Sequence, residues 1–183
     1  GISLSAENIS LTLDLNGHTV TSDGTSVIRV NTNDAELTIK NGVMINNDGT
    51  GAEVGIPAGG APGGNVTYFN NVTLNLENVD LIANSTSNED YGIVCNGVST
   101  GINIYLKGGS VTANDMIGIY FPAADSTLTI DGTKVTGTTA VAIKGGTVNI
   151  TNNAEIIGTG ERRDPTSGIN SGVNDTGAAI YVE

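Results

Sequence analysis

The chain has 183 residues with seven Lys plus Arg against nineteen Asp plus Glu, a net charge of −12. That average field repels a phosphate backbone, so nucleic acid is excluded as a partner. No apolar run approaches the length of about 18 residues that spans a bilayer, which excludes membrane insertion through a helix. Gly (26 copies), Asn, Thr, Val and Ile dominate while Trp is absent, a composition of strands and turns. An acidic, lysine-poor surface of this kind suits an exported protein.

The length fits one domain, residues 1–183, with a core of ordinary size. The chain opens at Gly1 with no charged-then-apolar leader, and it is expected to be a fragment of a larger protein whose export signal has been removed. Cys95 has no second cysteine to pair with, and its apolar neighbours predict a buried, inert thiol.

One short pattern recurs: aliphatic, polar, aliphatic, polar, then Gly or Asn. The copies begin at Leu13, Leu37, Leu74, Ile104, Leu128 and Val148, spaced 24, 37, 30, 24 and 20 residues apart. Period-two alternation marks a half-buried strand whose first and third positions point inward. The fifth positions, Gly17, Asn41, Asn78, Gly108, Gly132 and Asn152, are residues that enter the left-handed backbone region cheaply, so each strand is expected to end in the same bend.

A second apolar stretch follows each bend, at Val20, Met44, Leu81, Val111, Val135 and Ile156. A third comprises Ser26–Val30, Gly92–Cys95, Gly118–Phe121, Ala142–Lys144 and Ala179–Val182, with Thr67-Tyr68-Phe69 in the second copy. Three short strands per repeat and no 3.6-residue period predict an all-β fold, a parallel β-helix of about six coils. The crossover rule makes it right-handed. Sandwiches and jelly rolls are disfavoured, since they need hairpin turns at short intervals and no fixed Gly/Asn column, and the leucine-rich-repeat frame is missing. Composition places insertions at 48–65 and 158–176, both expected between second and third strands and on one side.

The opening Leu13-Asp14-Leu15-Asn16-Gly17-His18-Thr19 resembles the LDLNGHT start of many bacterial surface and carbohydrate-active β-helix proteins, and the whole pattern resembles the pectin-lyase-like right-handed β-helix superfamily. That resemblance implies a secreted or cell-surface bacterial protein. It does not imply one reaction, because the superfamily holds lyases, hydrolases, tailspikes, adhesins and inactive modules. The clustered aspartates with SHG and RIK-like segments that mark its hydrolases are missing here.

Candidate sites are few. His18, the sole histidine, sits in the first bend and reads as a turn residue. Lyase chemistry needs a base and acidic groups holding calcium, and Glu161, Arg162, Arg163 and Asp164 are the available residues, although four charges in a Gly/Pro-flanked loop read first as a solvated tip. The acidic surface could attract calcium, and no other cofactor is expected. The oxygen-rich segments Asn31–Glu36 and Ser87–Asp90 match no known calcium loop and read as ordinary turns, so no metal ligand is assigned.

The third strands place Arg29, Tyr68, Val94, Tyr120, Lys144 and Tyr181 in one outward column, which suits an extended polysaccharide or host glycan lying across the strands. The outward positions of the first strands are too mixed for an ice-binding threonine ladder, and N-x-S/T triplets such as Asn8-Ile9-Ser10 arise by composition. Two readings follow. The first is a non-catalytic adhesin, spacer or glycan-recognition module; the second is a polysaccharide lyase, a glycoside hydrolase or a fragment of one. Open strand edges at the two ends further predict end-to-end self-association.

Overall fold

The computed structural model describes residues 1–56, 69–85, 90–114, 116–160 and 177–183. Among them the chain is all-β, with no helix. The strands are β1 (Ile2–Leu4), β2 (Ile9–Asp14), β3 (Thr19–Ser22), β4 (Ser26–Val30), β5 (Ala35–Asn46), β6 (Thr50–Val54), β7 (Val72–Asn84), β8 (Tyr91–Cys95) and β9 (Asn103–Lys107). They continue as β10 (Ser110–Asn114), β11 (Ile117–Phe121), β12 (Thr127–Asp131), β13 (Lys134–Gly137), β14 (Val141–Ile143), β15 (Thr147–Thr151), β16 (Glu155–Gly158) and β17 (Ile180–Val182).

Every described ladder is parallel, and each strand pairs with its counterpart one repeat later. One sheet runs β1-β4-β6-β8-β11-β14-β17. The other is strongly curled: β5 and β7 each run through both of its halves, carrying β2, β9, β12 and β15 on one half and β3, β10, β13 and β16 on the other. The bends inside β5 and β7 fall at Asn41 and Asn78, with φ of 53° and 52°. All six fifth positions have positive φ, as their residue types predict. Amide side chains tie these bends together across strands, Asn41 donating to the Asp14 carboxylate at 3.2 Å and Asn78 to the Asn41 carbonyl oxygen at 3.4 Å.

A second column of left-handed residues lies three positions ahead of the first inward residue in five of the six first strands, at Asn8, Asp34, Asn71, Gly101 and Asp125, and two positions ahead in the last, at Gly146. Sequence reading missed it, because these residues stand among other polar turn residues and carry no periodic marker. Asn71 donates to Asp34 at 2.9 Å across the column.

The registers align the inward positions into apolar ladders, for example Leu37–Leu74–Ile104–Leu128–Val148 and Met44–Leu81–Val111–Val135–Ile156. Their central members are inaccessible to solvent and join one large core cluster. Each fully buried aliphatic side chain contributes about 1.5–3 kcal/mol. Exposure returns at the ends of the ladders: Leu11 is 41% exposed at one, Ile150 40% and Val182 69% at the other.

Three expectations need correction. In the first repeat the register pairs Leu11 with Leu37 and Leu13 with Ile39, so the frame starts at Leu11 and not Leu13. Asn16 and Gly17 are both left-handed and widen this first bend, burying Leu15 opposite Gly42, where a Cβ would lie 2.5 Å from the Leu15 Cβ. In the second repeat the third strand is Thr50–Val54, not Thr67-Tyr68-Phe69; Thr67 and Tyr68 lie outside the described residues. The insertion expected at 48–65 between second and third strands therefore contains the third strand itself, so it does not share its place in the repeat with the one expected at 158–176, which falls between β16 and β17 in chain order. The alternation of that third strand, Ala52 and Val54 inward and Glu53 outward, is disguised by Gly49 and Gly51, whose missing side chains make room for neighbouring backbone: a Cβ on Gly51 would lie 2.4 Å from the Gly92 carbonyl oxygen.

Leu76, buried between Ile39 and Leu106, tests the ladders. Leu76→Ala should lower unfolding free energy by about 2–5 kcal/mol in denaturant titrations followed by circular dichroism. A loss below about 0.5 kcal/mol would contradict a packed interior at this position.

Candidate functional site

The outward face of the seven-stranded sheet carries the residues singled out above. The observed column is Ser3, Arg29, Glu53, Val94, Tyr120, Ala142 and Tyr181. Arg29, Val94, Tyr120 and Tyr181 stand in it as expected. The place expected for Tyr68 belongs to Glu53, and the place expected for Lys144 belongs to Ala142, because β14 pairs two residues earlier than its apolar pattern implied. Lys144 instead follows the strand and reaches back over the sheet.

Two clusters result. At one end Arg29 and Glu53 form a two-pronged ion pair, Nε to Oε2 at 2.9 Å and Nη2 to Oε1 at 3.1 Å. Asn31 donates to Glu53 at 3.2 Å and Arg29 donates to Thr25 at 2.7 Å. The Glu53 side chain is only 15% exposed, and the pair ties β4 to β6.

Towards the other end the Tyr91 and Tyr120 rings stack at 5.4 Å between centroids and 25° between planes. Lys144 approaches the Tyr120 ring from the β14 side, its Nζ 5.9 Å from the centroid, and forms an ion pair with Glu183 at 2.5 Å. The hydrogen bond to Glu183, with a smaller contribution from Tyr120, holds the Lys144 pKa above its ordinary value against partial desolvation. Tyr120 is thus flanked by Tyr91 on one side and an ammonium on the other. The cluster thus brings two phenol rings, an ammonium and a carboxylate together.

Tyr91 was not among the expected residues. Alternation counted back from Val94 assigns it to the opposite side, and that alternation lapses around Gly92, where a Cβ would lie 2.3 Å from the Gly118 carbonyl oxygen. An aromatic residue directly before a strand glycine was the available signal.

Glu161, Arg162, Arg163 and Asp164 lie outside the described residues, as do Ser87, Asn88 and Glu89. His18 is exposed in the first bend, its backbone N–H donating to the Leu15 carbonyl at 2.8 Å. In the segment 31–36 the side-chain oxygens accept hydrogen bonds from neighbouring strands: Asn31 from the Ile56 N–H, Asn33 from the Asn70 N–H, Asp34 from Asn71 and Glu36 from Asn75. Among the described residues no three His, Cys, Asp or Glu side chains converge as a metal site would require. A shallow depression lined by Ala124, Asp125, Ser126, Thr127, Gly146 and Thr147 contains one carboxylate and no basic side chain.

Beneath the face, Cys95 is buried beside the Tyr120 backbone carbonyl, 3.9 Å from its Sγ. Burial pushes the thiol from 9.0 up to about 12. Comparison with family models, with curated proteins and with solved structures finds no match to this chain.

Because the folded pKa lies above the unfolded one, the contribution of the Cys95 thiol to stability is complete below pH 9 and declines as pH rises from 9 towards 12. A thiol reagent at pH 8 should accordingly label Cys95 only as fast as the chain opens. Labelling of the native protein at the rate of a free thiol would contradict this.

Proposed function

We propose that the chain is a right-handed parallel β-helix of about six coils with three short strands each, of the pectin-lyase-like kind. In this reading it serves as a non-catalytic recognition module of a secreted or cell-surface bacterial protein, binding an extended glycan along the seven-stranded sheet. The fold reading is supported by the parallel pairing of each strand with the next repeat and by the recurring left-handed bends. The functional reading is carried by one observation: Tyr91, Tyr120, Lys144 and Glu183 gather on a single outward face.

That cluster supplies what a sugar chain requires. Phenol, ammonium and carboxylate groups offer donors and acceptors to hydroxyls, and the rings give rigid area at small entropic cost. Strands about 4.8 Å apart repeat on the scale of a saccharide unit, so a glycan crossing them would meet equivalent positions in succession.

Titration of the intact chain with a panel of plant, bacterial and host glycans, with and without calcium, tests the reading. Binding is expected without calcium, with Tyr120→Ala weakening it at least about tenfold while thermal stability of the fold is retained. Steady release of shortened sugars would favour the enzyme reading instead, and binding unchanged in both Tyr120→Ala and Tyr91→Ala would remove this face from consideration.

Association of copies through the sheet edges belongs to the same proposal, since β1, β2, β3, β15, β16 and β17 each pair on one side only among the described residues, with Ile150 exposed on β15 and Ile180 and Val182 on β17. Sedimentation should show concentration-dependent growth, and a constant monomer mass up to millimolar chain would count against it.

A further inference from the structure

Resting on the glycan-recognition reading above, we infer that the ligand of this face is a neutral glycan and that polyuronates are rejected. The reason lies in how the chain disposes of its cations.

The described residues include Arg29, Lys40, Lys107, Lys134 and Lys144 as their lysines and arginines. Four of these form ion pairs: Arg29 with Glu53, Lys40 with Glu77 at 3.0 Å, Lys134 with Glu155 at 3.8 Å and Lys144 with Glu183. The fifth, Lys107, stands in register between Glu77 and Asp131. Both cations that the described residues place on the candidate face are therefore neutralised within it, on a chain whose net charge is −12.

A uronate carboxylate arriving there would have to take Arg29 from Glu53 or Lys144 from Glu183. Either exchange leaves a protein carboxylate without its cation, and Glu53 is the costlier because it is largely shielded from water. The surrounding negative field adds repulsion that grows with the length of the polyanion. A neutral sugar meets neither obstacle. Its hydroxyls can accept from the ammonium and donate to the carboxylates while the ion pairs stay closed.

Calorimetric titration of the full chain with a soluble β-glucan and a galactomannan, against polygalacturonate and alginate, separates the outcomes. The neutral polymers should bind with affinity changing less than about twofold between roughly 20 and 500 mM salt, as expected when no net charge is neutralised. Polygalacturonate and alginate should give no heat. Glu53→Gln and Glu183→Gln, which release Arg29 and Lys144, should gain polygalacturonate binding that high salt abolishes; two variants guard against one that fails to fold.

Polyuronate binding by the unaltered chain at or above the affinity for neutral polymers, with calcium or without, overturns the inference while leaving glycan recognition standing. Neutral binding with no gain in either variant overturns the role given to the ion pairs. Binding to neither class overturns the recognition reading itself.

Discussion

The bend that closes each first strand is the constraint on which the remaining structure depends. A residue that tolerates positive φ at that one place, Asn41, Asn78, Gly108, Gly132 or Asn152, bends every repeat at the same point of the register. Only then do the strands of successive repeats superimpose, and only superimposed strands can pair in parallel over their full length. The apolar ladders follow from that superposition. Leu37, Leu74, Ile104 and Leu128 are buried because each lies on an equivalent residue above and below, with no opposing layer of helix to cover them.

Parallel register also governs the polar surface. It sets Asp14, Lys40, Glu77, Lys107 and Asp131 side by side on consecutive strands, so that charge alternates along the row. The Asp131 carboxylate is held below its ordinary range by hydrogen bonds from Asn152, Thr151 and Tyr105, with Lys107 adding to the effect. Among the described residues Lys40 and Lys107 each stand between two carboxylates of this row. The same disposition leaves the Tyr91–Tyr120 face without an unpaired positive charge among the described residues, and that absence shapes what kind of sugar the face can hold.

Much of this was readable in the residues themselves. The first-strand frames from Leu37 to Val148, the second-strand positions from Val20 to Ile156 and the column of left-handed bends are local properties: alternation and the conformational range of Asn and Gly need no knowledge of neighbours. The errors came where local signals were weak. Glycines at 49 and 51 hid the strand at Thr50–Val54, two left-handed residues in succession shifted the first frame, and Ala142 lacked any feature to set it above Lys144.

The sequence by itself determined that the chain is built of short, alternating, bend-terminated strands, and which side chains of the first and second strands from Leu37 onward turn inward, because both depend on residues adjacent along the chain. Which residues meet across strands was decided only by the tertiary structure. Glu53 and Val94 are neighbours although 40 residues intervene, while Tyr120 and Ala142 are neighbours across 21. Loop length between strands is free to vary at small entropic cost, so sequence separation carries no register. Register is set by backbone hydrogen bonds and by the packing of inward side chains, and it brings Arg29 to Glu53, Tyr91 to Tyr120 and Lys144 to Glu183.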